Sequence, residues 1–379
     1  MEKIEILICQ VDKYNEFNIL ATKKFSPSTI FYLYRKETEG FLNSLKEYYS
    51  KNFPQIVLKD YLILEGDVNA LSNIINKNRD KNILVNLTGG NRINSLILKD
   101  LCNKSQINSI YLDIKNKKIY NFNDDINIIS EDFDDLELES LIKISGGEVI
   151  NESTNLSKKK NLIILTKFIY KNLDIWHKYK QKLCDSNIFN HSIDNHKELT
   201  INLILLSEEE KSLLNRILEY LKKMGEVNYN KVDNVIKVSF NNEYLKSFIF
   251  KSGTWLEIVT NNLISEIKEI DEVKSGLMFF WNDKSKRVRN EVDVVAVKDS
   301  VVICISCKDS DKYNENALNE LDVYSSKIGG KNVYKILVAT KEPLKASVTQ
   351  RAKEMGISLV IFDGNEEKFK KKIQGIIAK

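Results

Sequence analysis

Histidine is nearly absent from this chain: there are three in 379 residues, His177, His191 and His196, all in the middle. A zinc centre built on histidine would need those three to meet in space, and loop and linker histidines are the simpler account. Long apolar runs are missing too. None approaches the roughly 18 residues that span a bilayer, so no membrane contact is expected. The first residues, MEKIEILICQ, run into a strand-like stretch without the basic, apolar and small-residue regions of a secretory leader, which predicts a cytoplasmic protein. Five cysteines, an odd number spread from Cys9 to Cys307, make no disulfide framework and suit a reducing compartment. A strong charge of one sign is also lacking: a net +4 permits nucleic-acid contact without arguing for it. Function has to be sought in local motifs.

The 42% hydrophobic and 29% charged fractions are those of a globular chain, and the length suggests two or three domains. Apolar runs at Ile4 to Cys9, Thr29 to Tyr34, Ile56 to Leu64, Ile83 to Leu87 and Ser109 to Ile114 read as strands. Stretches of helical spacing lie between them, at Asp12 to Lys24, Thr38 to Lys51, Asp67 to Asn78 and Asn91 to Lys104. This alternation predicts a parallel, Rossmann-like sheet over residues 1–147, closed by a hairpin through Lys115 to Lys118 and an acidic stretch from Asp124 to Glu139.

Residues 148–250 read as a solvated run ending in Lys158 to Lys160, a helix from Leu162 to Leu183, a helix from Ser207 to Met224 stopped by Gly225, and a hairpin from Val227 to Phe240. Helix followed by hairpin suggests a winged helix or a spacer. From Gly253 the order is helix (Thr254 to Ile270), strands (Val273 to Trp281, Val288 to Val297, Val301 to Cys307), helix (Asn314 to Lys327), strand (Asn332 to Ala339), helix (Leu344 to Met355), strand (Ser358 to Phe362) and a last helix from Glu366. Residues 251–379 thus form an αβββαβ domain. The lysines from Lys368 to Lys372 read as a solvated face of that last helix.

Chemistry concentrates in this domain. On the second strand Glu291 and Asp293 share a face; on the third, Ser306 and Lys308 do. A two-residue loop at Asp299-Ser300 pairs Lys298 with Val301, which sets Asp293 across from Ser306 and Glu291 across from Lys308. Glu257 lies on the flank of a helix whose stripe is Leu256, Val259, Leu263 and Ile267. Acids beside a lysine on apolar strands suit phosphodiester hydrolysis: the acids hold a hard divalent cation and the lysine stabilises developing negative charge. Cys304 and Cys307 are not a zinc or redox pair, because an odd separation puts them on opposite faces. Trp255 reads as core.

A second signal is the strand Ile83 to Leu87 running into Thr88-Gly89-Gly90-Asn91-Arg92 and a helix. Glycines let backbone approach a ligand, and the helix's first amides suit an anion. The turn Gln10-Val11-Asp12 falls on the same sheet edge. Neither the dinucleotide fingerprint nor the phosphate loop is present, which argues against an ordinary dehydrogenase or NTPase.

Together these residues resemble the CRISPR-associated nucleases in which a CARF sensor domain is fused to a PD-(D/E)xK restriction-like domain. The strand-Thr88-Gly89-Gly90-Asn91-helix element is similar to the CARF ligand motif. Gly253 to Glu257, Asn290 to Asp293 and Ser306 to Lys308 are similar to the nuclease motifs. The fold class this implies is α/β: a Rossmann-like CARF domain, a helical, winged-helix-like middle segment and a restriction-endonuclease-like domain.

The resemblance further implies a homodimer that binds a cyclic oligoadenylate, tetra-adenylate first among them, through Gln10, Asp12, Thr88, Gly89, Gly90, Asn91 and Arg92. It implies a metal-dependent endonuclease of type III CRISPR antiviral defence, using Mn2+ or Mg2+ on single-stranded DNA or RNA, with nicking of duplex DNA in some members. Glu257, Glu291, Asp293 and Lys308 would be catalytic. The superfamily has an acid two residues before the lysine, where this chain has Ser306; Glu257, Glu291 or the main-chain carbonyl of Cys307 would join Asp293 as metal ligands in its place. The competing reading is a non-catalytic regulator in which the same ligand drives the winged helix onto DNA.

Overall fold

Runs of Ile, Leu and Val, each followed by an amphipathic stretch, dictate the first third of the molecule. The structure, a computed structural model, describes residues 3–378 apart from 124, 184, 242, 251–253 and 282–287; Asp124 and Gly253 therefore lie outside the described residues. Strands β1 (Ile6–Gln10), β2 (Thr29–Tyr34), β3 (Val57–Leu62), β4 (Ile83–Asn86) and β5 (Asn108–Asp113) alternate with helices α1 (Glu16–Phe25), α2 (Glu39–Asn52), α3 (Val68–Asn76) and α4 (Arg92–Ser105). The five strands are parallel in the order β3-β2-β1-β4-β5, a Rossmann-like sheet whose order reverses beside β1. Strands β6 (Lys118–Phe122) and β7 (Ile126–Ser130) extend it antiparallel, and α5 (Leu138–Ile144) follows. The acidic stretch thus holds a strand and a helix that its composition conceals.

Strand β8 (Gly147–Asn151) and the short α6 (Thr154–Ser157) lead into α7 (Lys160–Tyr170) and α8 (Leu173–Lys182). The single helix expected from Leu162 to Leu183 is broken at Asn172. Its side-chain amide donates to the Phe168 carbonyl, its φ of −135° is not helical, and its own carbonyl starts α8 by accepting Trp176 N–H. Strands β9 (Phe189–His191), β10 (Glu198–Asn202), β11 (Val227–Val232) and β12 (Val235–Phe240) form an antiparallel sheet in the order β11-β12-β10-β9 beside α9 (Glu208–Lys223). Helix α9 opens on a reciprocal cap between Ser207 and Glu210, and Gly225 follows with φ +71°. Helix α10 (Glu243–Phe250) completes this winged-helix-like segment. Lys158, Lys159 and Lys160 are exposed.

The last third contains α11 (Thr254–Ser265), β13 (Glu272–Trp281), β14 (Val288–Lys298), β15 (Val301–Lys308), α12 (Glu315–Gly329), β16 (Tyr334–Ala339), α13 (Ala346–Glu354), β17 (Ile357–Ile361) and α14 (Glu366–Ile377). The sheet order is β17-β16-β15-β14-β13-β8, so its sixth strand comes from ahead of the middle segment. Strands β14 and β15 pair Lys298 with Val301 around Asp299 and Ser300, whose φ values of 51° and 62° make the tight turn that right-twisted strands favour.

One face of this sheet packs through Val294, Ala296, Ile303 and Ile305 on α11, α14 and the middle segment. The other, through Leu277, Phe279, Val295 and Cys304, shares a continuous apolar core with β1, α1, α2 and α5. Cys304 and Cys307 do face opposite sides, Cys307 packing on the α11 side. Among the described residues no helix is long and apolar enough to cross a membrane.

Candidate active site

The β14–β15 ladder ends at Val294 and Ile305, and the site begins where it opens. Asp293 leaves the ladder, and its Oδ2 accepts the Cys307 backbone N–H at 2.7 Å and the Ser306 hydroxyl at 3.2 Å. The Lys308 ammonium lies 3.8 Å from the same oxygen. Across from Asp293, Gly276 of β13 is skipped by the β13–β14 pairing and has φ +55°; a Cβ there would overlap Ser153 Oγ. Only glycine takes this kink without strain, and the kink releases Asp293 toward β15.

Glu257 reaches this opening from α11. Burial pushes its carboxyl up to about 8, the Asp293 and Glu291 charges add to the rise, and Lys308 opposes it. Glu291 differs from expectation. The ladder stops short of pairing it with Lys308; it pairs with Met278 on β13 and is exposed, contributing charge from a distance. Cys307 sends its sulfur toward Leu256 and Thr260 of α11, where burial raises the thiol well above its ordinary range, so only its main chain is available to a hard cation.

Among the described residues no three His, Cys, Asp or Glu side chains gather to hold an ion by themselves. Two carboxylates whose mutual repulsion raises Glu257 still fit a hard divalent cation, since such ions commonly take one or two protein carboxylates and complete their shell with water and phosphate oxygens.

Directly behind Lys308 lies Asp309, with a side chain 0% exposed. Its Oδ2 accepts the indole N–H of Trp255 at 2.8 Å, that of Trp176 at 2.9 Å and the Lys180 ammonium at 2.9 Å. Its Oδ1 accepts the Thr340 hydroxyl at 3.0 Å and lies 3.3 Å from His177 Nε2. Burial alone would raise this carboxyl; the His177 bond, the Lys180 charge and the two indoles overcome it and hold Asp309 well below the usual carboxylate range. His177 is accordingly a helical residue packed on Asp309, which corrects its reading as a loop histidine. Trp255 is core, as expected, and also a donor.

In the N-terminal sheet, the carboxyl edge of β1 and β4 gathers the remaining candidates. Gln10 donates to the Gly89 carbonyl and to Ser95, and Asp12 accepts the Gly90 N–H at 3.1 Å. Thr88 bonds Asn86 and accepts the Leu112 N–H. Asn91 caps α4, taking the N–H groups of Ile93 and Asn94, so two of the amides expected to face an anion are already occupied. Gly90 has φ +84°, and a Cβ on Gly89 would overlap the Phe17 ring. Arg92 projects exposed from the first turn of α4. The network fixes the turn, and Arg92 stands exposed beside it.

Residues 244–378 match the family described as Card1-like, endonuclease domain. The last third of this chain is thus similar to a Card1-like endonuclease domain. Protein VC1899 from Vibrio cholerae is similar over 99% of this chain and 98% of its own, with a TM-score of 0.77 and 16% identity. Can2 from Sulfobacillus thermosulfidooxidans, solved in complex with cyclic tetra-adenylate, covers 100% of this chain and 98% of its own at a TM-score of 0.74 and 15% identity. A type III CRISPR defence DNA nuclease activated by cyclic oligoadenylate is similar over 92% of this chain and 48% of its own, with a TM-score of 0.54 and 13% identity. No curated protein matches in sequence. The fold is that of these solved structures: a Rossmann-like domain joined through the middle segment to a domain that matches the endonuclease family.

The structure brings Asp293, Lys308 and Glu257, which the sequence singled out, to one opening, and adds Gly276 and Asp309, which it did not. A glycine inside a strand pattern was the available sign for Gly276. Asp309 had none, because its partners lie 31 to 133 residues away in sequence.

Proposed function

We propose that the chain is a metal-dependent endonuclease of type III CRISPR antiviral defence, switched on by a cyclic oligoadenylate, cyclic tetra-adenylate foremost. The observation that carries this is the opening beside Asp293, with Lys308 and Glu257 turned toward it, in a Card1-like endonuclease domain. The ligand of Can2 and the activation of the type III nuclease support the choice of activator.

Asp293 and Glu257, aided by the Cys307 carbonyl and the charge of Glu291, would hold Mn2+ or Mg2+, which supplies the electrophile that polarises the scissile phosphate. Asp293 is oriented by the Cys307 N–H and the Ser306 hydroxyl. The Lys308 ammonium, fixed by its proximity to Asp293, neutralises charge that develops on the phosphate as water attacks. The substrate of this reading is single-stranded DNA or RNA.

Gln10, Asp12, Thr88, Gly89, Gly90, Asn91 and Arg92 form the activator site of this reading, Arg92 meeting a phosphate. A two-fold partner completes it: Leu64, Val68, Ile93 and Leu96 stand 70%, 49%, 47% and 68% exposed around the same edge, an apolar patch suited to a homodimer.

The test is cleavage of labelled single-stranded DNA and RNA with Mn2+, with and without cyclic tetra-adenylate. Activator-dependent cutting that falls by about two orders of magnitude or more in Lys308→Ala is expected. No cutting of either strand under any condition would refute the reading.

A further inference from the structure

We propose that Asp309 is the positioning residue of the endonuclease site, pinning the helix that carries Glu257 to the strand that carries Lys308. The inference rests on the endonuclease reading and goes beyond it, because Asp309 is fully buried and touches no substrate.

Asp309 follows Lys308 at the end of β15, and Trp255 precedes Glu257 by two residues in α11. One hydrogen bond of 2.8 Å, Trp255 Nε1 to Asp309 Oδ2, therefore joins the two catalytic elements at adjacent positions. Helix α11 can neither rotate nor slide along β15 without breaking it, since an indole N–H has a single direction in which to donate. The strand end is fixed as well: the Lys308 carbonyl accepts the N–H of Ser310 at 2.9 Å and that of Thr340 at 3.3 Å. Thr340 also donates its hydroxyl to Asp309. A buried anion is costly unless fully paired, and an apolar residue would fill the same space at less cost. Two tryptophans aimed at one oxygen are what a directional pin requires and what simple packing does not.

The two tryptophans provide an internal control. Trp176 and Trp255 are both 0% exposed and donate to the same oxygen at 2.9 and 2.8 Å, yet only Trp255 sits on a helix that carries a catalytic acid. If Asp309 only stabilised the fold, losing either N–H would have the same effect.

The experiment compares Trp255→Phe, Trp176→Phe and Asp309→Asn in the full chain. Three quantities are read: kcat and KM for activated cleavage, thermal unfolding, and Mn2+ affinity by calorimetry without substrate. The two tryptophan variants are expected to lose similar stability. Trp255→Phe and Asp309→Asn are expected to lose kcat by about tenfold or more with KM little changed, and to bind Mn2+ more weakly. Trp176→Phe is expected to keep kcat and Mn2+ affinity within about twofold of the unsubstituted chain.

Equal kcat and equal Mn2+ affinity in the two tryptophan variants overturns the inference and leaves the endonuclease reading intact. If Asp309→Asn does not fold, the tryptophan pair still decides. If the unsubstituted chain binds Mn2+ without cleaving, the endonuclease reading fails and the Mn2+ affinities alone decide; if it does neither, both fall.

Discussion

Tyr14, in the loop between β1 and α1, donates its phenol hydroxyl to the main-chain oxygen of Ser326 in α12. The same loop carries Asp12, which holds the Gly90 N–H at the sensor edge, while α12 packs on β15, the strand that ends in Lys308. One short loop thus touches both the glycine turn after β4 and the helix packed on the strand that ends in Lys308.

Replacing Tyr14 by Phe removes that bond and keeps the ring. The ratio of cleavage rates with and without cyclic tetra-adenylate is expected to fall roughly fivefold or more, with activator affinity changed far less. Rates with and without activator, set beside calorimetric titration of the ring, check this. An unchanged activation ratio would place the coupling elsewhere.

The raised carboxyl of Glu257 makes both stability and metal binding depend on pH. Its folded value of about 8 exceeds the ordinary 4.5, so between those limits the folded chain retains a proton that the unfolded chain has released. Metal-free stability contributed by this group is complete below the ordinary value and is lost as pH rises toward the folded one. Thermal unfolding without metal should therefore fall across that window, and Glu257→Gln should flatten the fall. Mn2+ binding at neutral pH should release close to one proton, detectable by calorimetry in buffers of different ionisation heat; proton release that persists in the Gln variant would contradict the assignment.

Leu96, 68% exposed on α4, is one of the exposed apolar residues proposed as the dimer contact. Leu96→Glu puts a charge on each side of a two-fold contact, and the variant should behave as a monomer by light scattering while unfolding within a few degrees of the parent. Activator-dependent cleavage should be lost with the dimer. A monomeric parent would remove this surface from consideration.

Gly276→Ala tests the kink beside Asp293. With φ +55° and Ser153 against the position, the substitution should cost about 1–3 kcal/mol in urea unfolding. Because the strain is relieved by straightening β13, Asp293 should return toward the ladder and cleavage should fall further than the stability loss explains. Full activity would mean that the kink is incidental.

Legibility followed the range of the interactions. Strands β1, β2, β4 and β5 were readable because each buries a continuous or periodic apolar run, a property local in sequence; β3, with Val57 and Leu62 exposed, was readable from composition alone. The pairing of Lys298 with Val301 was readable from the turn, and the Asp293 contact with Ser306 followed from it. Glu291 opposite Lys308 extended the same arithmetic past the point where Asp293 leaves the ladder, and failed there. The break at Asn172 was hidden by apolar spacing that continues across it. Strand β9 is short and pairs with β10 alone, and β10 joins the sheet through β12, far along the chain. Asp309 is the extreme case: an acid after an apolar strand reads as a solvated end until α8 and α11 close over it.

Strand β8 lies ahead of the middle segment yet forms the outer edge of the catalytic sheet, paired with β13. This decides where the protein can be cut and grafted. An excision at residue 244 would carry away five of the six strands and bare the edge of β13, a row of unpaired backbone groups ready to zip onto another copy. A cut just before Gly147 takes the sheet whole and brings the middle segment along unavoidably. A new sensor spliced onto this nuclease would inherit that segment as part of the graft, and exchange between lineages would meet the same seam.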